Sequence, residues 1–134
     1  MTGQNKRANI QEELTEARRC RQAADVNARA GDHKTAVNRL YYACYHVARA
    51  LLLTLGLEPK THSGMRHLVA LHFVKKGLLS SDIAKVLAHL EDERELADYH
   101  AGSTVTAQEY AEHEANADRI HDEIEAFLRA QGWI

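Results

Sequence analysis

Residues able to bind an anion and to transfer a proton lie close together around position 95. Five residues separate Arg94 from His100. The planar guanidinium of an arginine binds phosphate through paired hydrogen bonds, and the imidazole of a histidine, which titrates near pH ~6.5, transfers protons at physiological pH. Asp98 lies four residues after Arg94, which on a helix is the spacing of an ion pair. The segment therefore has the residue types of an anion site with a general acid or base.

Whether this arginine and histidine can cooperate depends on where their helix ends. On a continuous helix of 3.6 residues per turn, their side chains are rotated by about 240° and do not share a face. Gly102 can adopt the left-handed conformation that ends a helix. We therefore expect the helix to end by about Tyr99, so that His100 turns toward the side of Arg94. Without such a break, Arg94 is expected only to pair with acids of its own helix, and His100 to be a surface residue.

A second candidate group lies within one turn of an apolar helical pattern. Tyr42, Tyr45 and His46 are close enough in sequence to share one patch. Aromatic and imidazole rings stack on unpaired bases, which favours a wall that binds a nucleotide or RNA. The alternative is core packing in which neighbouring groups satisfy the hydroxyls, and this is our interpretation of Tyr41.

A third candidate group follows the single proline of the chain, Pro59. Lys60, Thr61 and His62 lie at the predicted start of a short helix, and Arg66 follows one turn later. Cations and hydroxyls at a helix N-terminus favour binding of an anion such as a nucleotide phosphate. The alternative is an ordinary helix cap after a proline turn.

The sequence contains no motif typical of a metal or cofactor site. It has no His-Glu-x-x-His segment, no paired cysteines, no two histidines four residues apart and no glycine-rich phosphate loop. His62, His67 and His72 recur every five residues, which distributes them around a helix. We therefore predict neither a metal nor a cofactor.

Residues 41–46, 60–64 and 93–100, in this order, resemble segments of the HEPN family (higher eukaryotes and prokaryotes nucleotide-binding) in its short single-domain prokaryotic form. The resemblance extends from about Asp32 to Tyr99. It implies a helical domain with a function related to RNA or a nucleotide, and it implies a homodimer.

The resemblance also implies a reaction. Many HEPN proteins are toxin-type endoribonucleases that need no metal and use an arginine and a histidine at about this spacing. In such a reaction Arg94 would bind the scissile phosphate, and His100 would act as general base for the 2′-hydroxyl or as acid for the leaving oxygen. Asp98 and Tyr99 would support the pair.

A second function follows from the residue after the arginine. The catalytic HEPN pattern commonly has a small polar residue there, whereas Glu95 is acidic and would repel phosphate. Chains that resemble this one often keep only the arginine and the ending Ala97-Asp98-Tyr99. The alternative is therefore a non-catalytic nucleotide-binding or interaction module whose partner is a small nucleotidyltransferase, acting as an antitoxin.

Length and composition predict one soluble domain. The chain has 134 residues, of which 45% are hydrophobic and 27% charged, and it has two cysteines, which we expect to be buried free thiols. Residues 1–9 are polar and are expected to form a flexible tail rather than a signal peptide. The longest apolar run, residues 50–57, is too short to span a membrane. We therefore expect a cytoplasmic protein with no membrane partner.

The charges are unevenly distributed along the chain. Residues 1–76 contain thirteen Lys and Arg against six Asp and Glu, and residues 77–134 contain four against thirteen. This difference predicts either a basic face for an anionic partner, beside an acidic one, or oppositely charged helices that lie side by side.

Hydrophobic periodicity and capping signals predict an all-α protein, an up-and-down bundle of four long helices plus one short helix. The short helix is the third. Thr106 and Glu109 form a capping box, with Val105 and Tyr110 as its hydrophobic staple. The predicted helices cover residues 9–30, 33–55, 63–76, 80–99 and 107–130.

Overall fold

The computed structural model describes residues 2–134, and it confirms the all-α bundle. Helices account for the regular structure of this range, and none of its residues is in a β-strand. The five helices are α1 (Gly3–Arg29), α2 (His33–Leu53), α3 (His62–Val69), α4 (Asp82–Tyr99) and α5 (Ala107–Ala130). The chain continues from α3 into one π-helical turn, Ala70–Val74.

The central helix of the bundle is α2, as its broad apolar stripe predicts. It packs against α1, α4 and α5, and more than half of its side chains are buried. Gly31 adopts a left-handed conformation (φ 82°) in the short connection between α1 and α2. The carboxylate of Asp32 then caps α2 by accepting a hydrogen bond from the backbone N–H of Thr35 at 3.1 Å. Because this connection is so short, α1 and α2 are antiparallel neighbours.

The first helix begins at Gly3, six residues before its predicted start. The hydroxyl of Thr2 caps it by accepting a hydrogen bond from the N–H of Asn5 at 3.1 Å. Lys6 and Arg7 then tie this turn to the rest of the bundle, through hydrogen bonds to the carbonyls of Thr54 (3.3 Å) and Gly132 (3.2 Å). Residues 3–9 thus lie within α1 and are bonded to the bundle, where the sequence predicted a tail outside the helices. Met1 lies outside the described residues.

The end of α4 confirms one expectation and corrects another. The helix ends at Tyr99, as predicted. However, Gly102 does not have a positive φ, and His100 instead leaves the helix in an extended conformation (φ −116°, ψ 97°). The hydroxyl of Ser103 donates to the carbonyls of Leu96 and His100, at 2.9 and 2.7 Å. A side-chain cap therefore satisfies the carbonyls that a left-handed glycine would have satisfied.

The last helix begins as its sequence predicts. The hydroxyl of Thr106 accepts a hydrogen bond from the N–H of Glu109 at 3.1 Å, and the staple residues Val105 and Tyr110 pack against the core. Both cysteines, Cys20 and Cys44, are free and buried, as predicted.

Ion pairs join the basic and acidic halves of the chain. Arg21 on α1 contacts Asp118 at 2.7 Å and Glu114 at 2.9 Å on α5, and Arg18 contacts Glu125 at 3.5 Å. Oppositely charged helices thus lie side by side, which was the second of the two interpretations of the charge distribution. Among the described residues, no helix is long and apolar enough to cross a membrane.

Candidate functional site

The fold brings together parts of all three candidate groups on one side of α2. The rings of Tyr41, Tyr42 and Tyr45 lie on adjacent turns of α2, and the ring of His62, the first residue of α3, packs against all three. The ring centroid of His62 is 5.0 Å from that of Tyr45 and 5.5 Å from that of Tyr41. We call these four residues the tyrosine cluster.

Arg94 joins the tyrosine cluster from α4. Its guanidinium carbon lies 5.2 Å from the ring centroid of Tyr41 and 5.7 Å from that of Tyr42, a cation–π arrangement. Asp98 accepts a hydrogen bond from Nη1 of Arg94 at 3.3 Å, as predicted, and another from the amide of Asn38 on α2 at 3.0 Å. The arginine is therefore fixed between two tyrosine rings and a carboxylate that is itself held by α2.

The Arg94 side chain is almost fully covered by these contacts. The residue is only 8% exposed, and its Nε–H is buried without a hydrogen-bond partner. Burial alone would lower the pKa of Arg94, but the neighbouring Tyr42, Tyr99 and Asp98 outweigh this and raise it. The charge is consequently permanent, and one of its donors remains unused.

A buried phenol orients the imidazole of the cluster. The hydroxyl of Tyr41 lies 2.5 Å from Nδ1 of His62, and Tyr41 has no exposed surface. Burial raises the pKa of Tyr41, so its hydroxyl keeps its proton. Burial lowers the pKa of His62, and the nearby charges of Arg94 and Arg66 lower it further. At neutral pH His62 is thus an uncharged imidazole, held through Nδ1, with Nε2 as the nitrogen available to a ligand.

The other predicted histidine, His100, lies beyond the end of α4. Its side chain is exposed, and in the described part of the chain no hydrogen bond, ion pair or ring contact joins it to Arg94. Its backbone carbonyl accepts a hydrogen bond from Nζ of Lys34 at 3.3 Å. Tyr99 is 76% exposed. The imidazole that shares the tyrosine rings with Arg94 is therefore that of His62.

His46 belongs to a charged network at the edge of the tyrosine cluster. Its Nδ1 lies 2.7 Å from the carboxylate of Glu13, which also accepts a hydrogen bond from Arg49 Nε at 3.1 Å. Burial alone would raise the pKa of Glu13, but His46 and Arg49 outweigh it and lower the pKa. The guanidinium of Arg49 lies 5.7 Å from the ring centroid of Tyr45.

Two arginines of this surface do not follow from the three sequence motifs. Arg49 lies four residues after Tyr45, and Arg39, three residues before Tyr42, places its guanidinium 5.2 Å from that ring. The spacing of three or four residues between each arginine and its tyrosine could have predicted these contacts, because such residues share one face of a helix. With them, cations flank the two partly exposed tyrosines on α2.

The helix start at Thr61 is an ordinary cap. The Thr61 hydroxyl accepts a hydrogen bond from the N–H of Gly64 at 2.9 Å, and Lys60 is exposed. Arg66 forms an ion pair with Glu91 on α4. Because the threonine hydroxyl and the Arg66 charge already have partners, this end of α3 contributes His62 to the site rather than a separate anion pocket.

Cys20, Glu16 and His46 lie within reach of one another beside the cluster, yet they are poorly suited to a metal. The Cys20 thiol accepts a weak hydrogen bond from Arg39 at 3.7 Å, and burial raises its pKa, which disfavours a thiolate ligand. Nδ1 of His46 is already engaged by Glu13.

A family model described as "HEPN domain" matches residues 10–129. The chain belongs to the HEPN family. The matched range is wider than the segment that carries the resemblance in sequence, and it includes the three helices that build the tyrosine cluster and Arg94.

Relatives of this HEPN chain occur in archaea and bacteria. A UPF0332 protein of Gloeobacter violaceus is 34% identical over 102 residues, which are 76% of this chain and 81% of that protein. A UPF0332 protein of Pyrococcus horikoshii is 38% identical over 66 residues, 49% of this chain and 46% of its own. A Methanocaldococcus jannaschii protein named "Putative toxin" is 39% identical over 67 residues, half of each chain. The match thus spans about half the length of the last two proteins.

Proposed function

We propose that this HEPN protein binds RNA at the tyrosine cluster and cleaves it without a metal ion, as a toxin-type endoribonuclease. The observation that carries the proposal is the packing of a fixed guanidinium and an uncharged imidazole on the same tyrosine rings. Membership of the HEPN family and the relatives named as toxins support it.

The surface of the cluster suits a single-stranded RNA. Tyr42 and Tyr45 are partly exposed, and Arg39 and Arg49 lie against their rings. Unpaired bases stack on such rings, each contributing about 1–3 kcal/mol, while neighbouring cations attract the phosphates. This arrangement favours RNA in which bases are free, and it provides no pattern of base-edge donors that would select one sequence.

The reaction needs one base and one cation that stabilises the negative charge developing on the phosphate. In the tautomer of His62 whose Nδ1–H donates to the Tyr41 hydroxyl, Nε2 carries no proton and can act as the base. The 2′-oxygen attacks the phosphorus, its proton passes to this Nε2, and the bond from phosphorus to the 5′-oxygen breaks. The leaving oxygen takes a proton from solvent, which leaves a 2′,3′-cyclic phosphate and a 5′-hydroxyl. The guanidinium charge of Arg94, which lies against the same tyrosine rings, stabilises the charge on the phosphate oxygens.

A non-catalytic module is the second candidate, and the small exposure of Arg94 favours it. Arg94 is only 8% exposed and is followed directly by Glu95. Its guanidinium is therefore well placed to hold the rings of the tyrosine cluster and poorly placed to contact a phosphate. In this case the tyrosine cluster binds a nucleotide or presents a surface to a nucleotidyltransferase-type antitoxin.

Cleavage of labelled RNA by the purified protein separates the two functions. Incubation with structured and unstructured RNA in the presence of EDTA is expected to give fragments that end in a 2′,3′-cyclic phosphate. We expect Arg94→Ala to lower the cleavage rate by on the order of 10²-fold or more, since removing one such donor has effects of this size. Circular dichroism of the variant controls for folding. Binding of RNA with no cleavage would leave the non-catalytic module.

A further inference from the structure

Three side chains with metal-binding atoms meet where α4 packs on α5. His89 and Glu93 are one turn apart on α4, and His113 projects from α5. Nε2 of His89 lies 4.0 Å from one carboxylate oxygen of Glu93, and Nε2 of His113 lies 3.7 Å from the other. One ligand atom from each residue lies within 4.8 Å of the other two.

The donor set and its geometry are those that a zinc ion uses. Two imidazoles and one carboxylate form a common Zn²⁺ site, with the fourth position left to water. Ligand atoms at about 2.0–2.2 Å from a tetrahedral zinc lie about 3.4 Å from each other. The two histidine–carboxylate separations, 4.0 and 3.7 Å, are slightly longer than those of a loaded site.

His113 lacks the interactions that a buried imidazole normally has. The residue is only 6% exposed, and its Nδ1 has no hydrogen-bond partner. Its other nitrogen has only the 3.7 Å contact with Glu93. A buried polar ring with so few partners is costly, and a metal ion at Nε2 would give this nitrogen a strong bond in place of its long contact with Glu93.

We propose that His89, Glu93 and His113 bind one Zn²⁺ ion, which joins α4 to α5. The site lies on the α5 side of α4, whereas Arg94 packs on α2 from the same turn of that helix. The ion therefore holds in place the segment from which Arg94 projects, without contacting the tyrosine cluster. His89 is exposed, so the ion can enter from solvent.

The test is a titration of the full chain, stripped with EDTA and desalted. Isothermal calorimetry is expected to show one Zn²⁺ ion per chain, and Co²⁺ in its place is expected to give the intense visible absorption of a tetrahedral site. His113→Ala and Glu93→Gln should each weaken binding by at least about tenfold, because even residues around the direct ligands have effects of this size. His89→Ala, a change at an exposed position, gives the same test with little risk to folding.

The matched control is His67→Ala, which removes an exposed histidine of α3. This variant should bind Zn²⁺ as tightly as the original chain and should show the same rise in unfolding temperature with added Zn²⁺. No binding at micromolar Zn²⁺, or unchanged affinity in both His89→Ala and Glu93→Gln, overturns the proposal. The readout is metal binding, so the outcome is independent of whether the protein cleaves RNA.

Discussion

The state of a single imidazole, that of His62, decides how the proposed site works. Its Nδ1 is engaged by Tyr41, and burial, together with the charges of two arginines, lowers its pKa. A histidine oriented through one nitrogen presents the other to a substrate in a fixed direction, which is the usual requirement for a general base. The structure thus gives the His62 imidazole a partner that fixes its orientation, whereas the His100 side chain is exposed.

The pKa of His62 makes stability depend on pH. Because the folded pKa lies below the unfolded value of about 6.5, the unfolded chain takes up a proton first as pH falls. The stabilisation from His62 is therefore complete above the unfolded pKa and is lost as pH falls toward the folded pKa. His62→Asn, which keeps a side-chain donor for the Tyr41 hydroxyl, should lose less stability than the original chain between pH 7 and pH 5. Urea unfolding at both pH values measures this, and equal losses would contradict the low pKa.

Four residues of the site were predicted from sequence, but their contacts with residues of other helices were not. Tyr42, Tyr45, His62 and Arg94 were all candidates because their residue types bind bases and phosphates. The bond from Tyr41 to His62 joins α2 to α3, and the contact of Arg94 with the rings joins α4 to α2. Such pairings depend on how helices pack, which local spacing does not determine. Tyr41 illustrates this, since it is buried in the core, as predicted, and also orients the imidazole.

At the scale of elements, the N-terminus of α3 positions His62. The Thr61 hydroxyl accepts a hydrogen bond from the N–H of Gly64, and a Cβ at Gly64 would lie 2.7 Å from that hydroxyl oxygen. Glycine is thus required here by a close approach, although its φ is ordinary. The cap and the glycine together fix the first turn, from which the His62 side chain reaches the tyrosines.

We predict that Gly64→Ala destabilises the protein, against the usual gain from alanine in a helix. The new methyl group displaces the Thr61 hydroxyl, and loss of an N-cap bond costs about 0.5–2 kcal/mol. Gly3→Ala, at the first turn of α1 with open space around it, is the matched control and should be neutral or stabilising. In a Thr61→Ala background, Gly64→Ala should no longer destabilise. Denaturant unfolding of the four variants tests this, and equal effects of Gly64→Ala in both backgrounds would contradict it.

Helix boundaries were predicted well where capping residues are specific and poorly elsewhere. The capping box at Thr106 gave the start of α5 correctly. The start of α1 was missed because the cap is Thr2, with no acidic residue in the following turn, and because its stabilising contacts come from the distant Thr54 and Gly132. The π-helical turn after α3 has no sequence signal that we recognise.

At the scale of the whole molecule, α4 leaves an apolar surface uncovered next to Arg94. Leu96 is 46% exposed, and the exposed ring of Tyr99 lies three residues later on the same helix. Uncovered apolar groups at adjacent helical positions are typical of an interface. Among the large hydrophobic residues exposed elsewhere is Val26 on α1.

We predict that the protein is a two-fold homodimer that buries Leu96 and Tyr99 and brings two Arg94 sites close together. A two-fold interface uses the same patch on both chains, so one substitution acts twice. Leu96→Glu should therefore shift the dimer to monomer, whereas Val26→Glu, at a more exposed position on α1, should not. Light scattering at micromolar concentration gives the mass. A monomeric original chain would contradict the prediction, and an unaffected dimer in Leu96→Glu would place the interface elsewhere.

The overall architecture followed from sequence more completely than the proposed metal site did. The five helices and the central place of α2 were predicted because hydrophobic periodicity and glycine punctuation act locally. The chain was expected to have no metal because it contains no pair of histidines four residues apart. His89 and His113 approach each other across the α4–α5 packing, with a ring-centroid distance of 5.3 Å. Spacing along one helix does not show such a pair.

In the proposed reaction, the imidazole that acts with Arg94 belongs to His62, and a comparison of two variants tests this assignment. His62→Ala and His100→Ala are assayed side by side for RNA cleavage in EDTA, with circular dichroism as the folding control. We expect His62→Ala to lower the rate by about 10²–10⁴-fold, the usual contribution of general acid–base catalysis, and His100→Ala to change it little. The reverse result, with activity lost in His100→Ala and kept in His62→Ala, would contradict the claim and assign the reaction to Arg94 and His100.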